Sequence, residues 1–140
     1  MLKKLPINTY TFSKIREGNY EYVDKTEYVY KMAQEMDIAF LSRPRRFGKS
    51  MLCHTLKEYF SGNKDLFKGL KIYELEKDWV KHPVFFFSMS TLKDCTISEM
   101  KDKLMLNLDK YAEIYGDNIK ETTPGARLSG LIERSMENNG

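Results

Sequence analysis

Between Asp37 and Leu56 the sequence sets a short apolar run, Ile38-Ala39-Phe40-Leu41, before the basic turn Arg43-Pro44-Arg45-Arg46. Gly48-Lys49-Ser50 then leads directly into a helical pattern. No other feature restricts the fold as much, because a buried strand, a tight turn and a helix must follow in immediate succession. The layout is that of a phosphate-binding loop. Gly48 lets backbone approach oxygen atoms, and the helix aims its unpaired N–H groups and positive dipole end at the phosphates. In this reading the backbone of Arg45, Arg46, Phe47, Gly48, Lys49, Ser50 and Met51 cradles the phosphates. Lys49 reaches the β/γ-phosphates and Ser50 ligates magnesium. The match to G-x-x-x-x-G-K-[ST] is incomplete, since Arg43 holds the first glycine position. The residues therefore leave a second reading open, an ordinary basic turn between strand and helix.

The neighbouring side chains divide by chemistry. Lys49 is electrostatically misplaced at the positive end of a helix unless an anion is near, which favours the phosphate reading. Arg45 and Arg46 suit phosphate bracing or structural ion pairs equally, because a guanidinium fork serves both. Phe47, beside Gly48, is expected to pack the loop. An adenine would lie farther off, with Tyr22, Asp24, Lys25 and Thr26 as candidates for its surroundings, although Asp24 and Thr26 suit helix caps as well. Cys53 and His54 have no partner motif and read as structural. Trp79 reads as an anchor of a loop against the core.

A chain of 140 residues, 41% of them hydrophobic, can bury one core of ordinary size. Its formal net charge of +3 does not by itself announce a nucleic-acid binder. Cys53 and Cys95 form no C-x-x-C pair and no histidine cluster accompanies them, which fits a reduced compartment and argues against a metal site. No apolar run approaches the roughly 18 residues of a membrane span, so a cytoplasmic location without membrane contact is expected.

Along the chain, residues 8–22 read as irregular with short extended pieces. A helix runs from Asp24 or Thr26 to about Glu35, with Tyr28, Val29 and Met32 on one face. The helix from Lys49 stops at Ser61-Gly62, and a short helical turn follows between Asp65 and Leu70. Pro83 to Ser90 is a continuous apolar run, expected as a strand buried on both faces and parallel to Ile38–Leu41. Thr96 and Glu99 form a capping box for a helix to about Tyr115, ended by Gly116. Its stripe of Ile97, Met100, Leu104, Leu108, Tyr111 and Ala112 reads as core. Pro124 opens a last helix with Leu128, Leu131, Ile132 and Met136 inward and a stop at Asn138-Asn139-Gly140.

Tyr22-Val23-Asp24-Lys25-Thr26, the stretch Leu41 to Ser50, Leu56 to Gly62 and Leu66 to Leu70 together resemble the bacterial AAA-ATPase-like family. Arg43 in the first glycine position is similar to that family's own loop. The resemblance implies an α/β fold, a P-loop NTPase-like parallel sheet with flanking helices, and ATP with Mg as ligands. It also implies a Walker B strand ending in acidic residues and, in many members, a nuclease-like C-terminal region that would meet nucleic acid. Neither is found in residues 1–140, so the chain reads as the N-terminal part of a single such domain, truncated before the Walker B strand. That half would bind nucleotide without hydrolysing it. The rival readings are a module holding nucleic-acid phosphates on Arg43, Arg45, Arg46 and Lys49, and a partner-binding adaptor. The oligomeric state is not legible.

Overall fold

The computed structural model describes residues 3–92 and 94–137. Six α-helices occur among them: α1 Phe12–Glu17, α2 Thr26–Glu35, α3 Lys49–Phe60, α4 Lys71–Leu75, α5 Ile97–Tyr115 and α6 Pro124–Glu137. Two short 3₁₀ turns, Lys64–Phe67 and Met89–Leu92, complete the regular structure. The chain divides into two compact units, residues 1–84 and 85–140.

The expected parallel sheet is absent. Among the described residues no strand forms, and the only ladder pairing is an isolated bridge between Lys4 and Tyr20. The fold is mostly helical rather than α/β. Ile38 and Phe40 are 92% and 93% exposed in an irregular segment that bends at Asp37 and Ile38, whereas the second apolar run crosses the unit boundary after Val84. A parallel sheet needs several adjacent strands covered on both faces. Neither run has a ladder partner among the described residues.

In the first unit, Phe12, Phe67, Ile72, Val29, Leu70 and Tyr59 form the buried centre. Burying a side chain such as Phe12 or Ile72, both 0% exposed, contributes about 1.5–3 kcal/mol. This is why α1 exists where an irregular segment was expected: Phe12 and Ile15 lie one turn apart and are 0% and 1% exposed. Six residues are too few for a helix to hold by propensity. Arg16 adds a clasp, donating from Nε to the Leu66 carbonyl at 2.7 Å and from Nη2 to the Lys68 carbonyl at 2.6 Å. The α3 helix ends as the sequence indicates. Gly62 takes φ 72°, its N–H reaches the Tyr59 carbonyl at 3.0 Å and that of Asn63 reaches Glu58 at 3.1 Å. Those two bonds satisfy carbonyls that the helix leaves open.

In the second unit, α5 opens on the expected capping box, Thr96 and Glu99 each bonding the other's backbone N–H. Leu108, Ala112 and Leu131 are the buried contact between α5 and α6. The inward stripes are shorter than expected, since Ile97 and Met136 are 72% and 67% exposed. Arg127 pairs with Asp109 at 2.7 Å and Asp117 at 3.0 Å. Arg134 grips Glu121 through two bonds of 2.6 and 3.0 Å. Phe85 and Phe87 pack on Tyr111 at 4.9 and 6.0 Å between ring centroids. The Tyr111 hydroxyl accepts from the Phe86 N–H at 2.7 Å and donates to the Phe86 carbonyl at 3.1 Å. One side chain thus takes the place of a neighbouring strand. The expected stop at residues 138–140 lies outside the described residues.

Candidate functional site

The loop from Leu41 to Gly48 delivers its basic residues directly to the start of α3. Arg46 and Gly48 both adopt left-handed backbone, φ 67° and 76°, so the chain turns sharply on either side of Phe47. A Cβ at Gly48 would find nothing within 4 Å; what glycine supplies there is the left-handed conformation, not missing bulk. Gly48 stands at the N-cap position, where no side chain caps the helix, and its first bond runs from Leu52 N–H to the Gly48 carbonyl at 2.9 Å. The N–H groups of Lys49, Ser50 and Met51 precede that bond and have no carbonyl one turn back in the helix.

Electrostatically, the first turn of α3 carries no acidic residue. Arg43, Arg45, Arg46 and Lys49 all gather at the positive end of the helix dipole, an arrangement that an anion would relieve. Lys49 folds back across the loop and donates from Nζ to the carbonyls of Arg43 and Pro44, the latter at 3.2 Å. Arg45, Arg46 and Ser50 are exposed. Phe47 does not pack as expected: it is 63% exposed.

Beside the loop lies a cavity of 720 Å³, lined by Arg43, Phe47 and Gly48 together with Tyr22, Tyr28 and Met32. Met51 and Lys25 also border it, whereas Arg45, Arg46, Lys49 and Ser50 do not. The face shared by Tyr28, Val29 and Met32, legible as helical periodicity, therefore turns toward a cavity rather than wholly into core. Tyr22 is wedged against Phe12, ring centroids 5.3 Å apart, and burial pushes its phenol above the ordinary value despite a hydrogen bond with Thr55.

Two of the candidates for a base environment serve the scaffold instead. Asp24 accepts from the Thr26 N–H at 2.9 Å, the Thr26 hydroxyl at 2.7 Å and the Lys71 N–H at 2.7 Å. Thr26, 0% exposed, accepts in turn from the Ile72 N–H at 3.1 Å. The pair joins α2 to the start of α4. Partial burial acts to raise the Asp24 carboxyl, but the three donors outweigh it and hold the group below its usual range. Trp79 packs on Phe67 and Tyr59 at 5.2 and 5.7 Å, a loop anchored to the core. Cys53 and Cys95 form no disulfide with one another. Among the described residues, no three His, Cys, Asp or Glu side chains gather as a metal site, and no helix is long and apolar enough to cross a membrane.

Residues 6–140 match the model of a family described as "Predicted AAA-ATPase". The chain belongs to this family. It is 44% identical over 142 residues to an "Uncharacterized protein in vnfD 5'region" of Azotobacter chroococcum mcd 1, covering 99% of this chain and 27% of that protein. The chain thus spans about a quarter of the length of the curated relative it matches. No solved structure matches it.

Proposed function

We propose that the segment 45–51 binds the phosphates of ATP with magnesium, as the nucleotide-binding part of an ATPase. The observation that carries this reading is a junction of two features. A glycine-turned, cationic helix start opens beside a cavity whose 720 Å³ falls in the range of small-molecule sites. Backbone N–H groups from Gly48 to Met51 hold phosphate oxygens, Lys49 leaves its own loop carbonyls for the β/γ-phosphates, and the Ser50 hydroxyl faces magnesium. Base and ribose occupy the cavity between Phe47 and Tyr28, with Tyr22 and Lys25 at its border. Hydrolysis further needs an acidic group for the metal and a residue that orients water. In this reading those belong to the remainder of the full-length protein.

Arg45 and Arg46, exposed and off the cavity, favour a second reading in which the loop holds nucleic-acid phosphates. Affinity that falls steeply with salt and ignores ATP identifies it. The test of the first reading is titration of the full-length protein with ATP, with and without magnesium. Lys49→Ala removes a charge-assisted contact of about 1.5–3 kcal/mol, or about one to two decades of affinity. Ser50→Ala weakens the magnesium-dependent part more than the rest. Unchanged affinity in Lys49→Ala refutes the assignment.

A further inference from the structure

A second cavity, of 420 Å³, is bounded by α2, the end of α3 and the segment following α4, and it shares no lining residue with the cavity beside the basic loop. Tyr30, Tyr59, Phe60 and Trp79 line it. The Tyr59 ring stands at 68° to Phe60 and 70° to Trp79, so the aromatic planes turn around the space instead of stacking face to face. Glu76 and Asp78 also line it. The Tyr59 hydroxyl donates to Glu76 Oε2, and the Asp78 N–H donates to Oε1 at 2.9 Å, which fixes the Glu76 carboxylate against the ring wall. Lys77, Gln34 and His82 line the cavity as well, and Lys77 donates its Nζ to the Glu74 carbonyl at 2.7 Å.

The chemistry of those walls selects by exclusion. An anion meets two carboxylates. A divalent metal needs six or more oxygen ligands, and among the described residues no three His, Cys, Asp or Glu side chains gather to supply them. A neutral apolar group leaves both carboxylates uncompensated. An organic cation with diffuse charge and methyl surface satisfies rings and carboxylates together, because ring faces attract cations and the apolar walls bury methyl groups. We propose that this cavity binds a quaternary ammonium group, held by Tyr30, Tyr59 and Trp79 with Glu76 as counter-charge. The group has two sources, a free choline-like amine or a trimethylated lysine on a peptide.

Trp79 is the chain's single tryptophan, so its emission reads this cavity directly. The 140-residue chain is titrated at constant ionic strength with choline, with its uncharged carbon isostere 3,3-dimethylbutan-1-ol, and with an acetylated trimethyllysine amide. The expected result is a saturable emission change with choline at least about tenfold tighter than with the isostere. Glu76→Gln removes the charge and keeps one of the two acceptor oxygens, the other position becoming an NH2 donor, and should weaken choline about tenfold. Tyr30→Leu, which removes one wall, should weaken it likewise, circular dichroism establishing that both variants are folded. Tighter binding of the trimethyllysine amide than of choline names a protein tail as the source, and the reverse order names a small molecule. Equal affinity for the isostere, undiminished binding by folded Glu76→Gln, or no response to choline at all overturns the proposal.

Discussion

Replacing Thr26 by valine should destabilise the first unit by about 2–4 kcal/mol, although the two side chains are nearly equal in size. The Thr26 hydroxyl is the acceptor for the Ile72 N–H and donates to Asp24, and Thr26 and Ile72 are both 0% exposed. Valine leaves the Ile72 N–H buried without an acceptor, which costs about 1–3 kcal/mol. Losing the bond to the Asp24 carboxylate adds about 1.5 kcal/mol, at the low end of the range because Asp24 is exposed and regains water. The extra buried methyl returns about 0.8 kcal/mol. The structural consequence is specific: α4, five residues long, loses a bond that fixes its first turn to α2. Urea denaturation followed by Trp79 emission is the assay, since that ring packs on Phe67 and Tyr59 within the first unit. Thr26→Ser, which keeps the hydroxyl, should lose less than Thr26→Val. If valine lies within about 0.5 kcal/mol of the wild type, or serine is the worse of the two, then methyl packing and not the hydroxyl bridge holds this junction.

Three more outcomes follow from the geometry. Gly48→Ala forces a Cβ into left-handed backbone with open space around it, so it should cost about 1–2 kcal/mol of conformational strain without a steric clash, read as a lower urea midpoint. Tyr111→Phe deletes both bonds to the Phe86 backbone and should destabilise the second unit by about 1–3 kcal/mol, measured by far-ultraviolet circular dichroism on heating. Acid titration should show the Asp24 contribution. Its carboxyl is held below the ordinary value in the folded state, so the stabilisation is complete above the unfolded value of about 4 and disappears as pH falls through the folded one. Asp24→Asn should flatten that part of the Trp79-detected stability profile, and an unchanged acid slope contradicts the hydrogen-bond account.

Local signals were legible in the sequence because their partners lie within a turn or two. Thr96 and Glu99 cap each other three residues apart, Gly62 closes the helix that Lys49 opens, and Gly48 takes the left-handed turn at the end of the basic loop. The residues of the candidate site are therefore readable from order and spacing. Their environment is not. Whether Ile38 to Leu41 becomes a strand depends on a neighbour it does not carry, and here the segment stays irregular and exposed. Phe85 to Phe87 has the composition of a strand, but rings on α5 and a single tyrosine hydroxyl receive it. Asp24 and Thr26 looked equally suited to a ligand or a cap until α4, more than forty residues later, supplied the N–H groups they accept. Periodicity assigned Tyr28, Val29 and Met32 to one face, and only packing decided that this face borders a cavity next to Gly48. Hydrogen bonds within a turn are fixed by neighbouring residues, whereas ladders, clasps and cavities are fixed by whichever distant segment arrives to complete them.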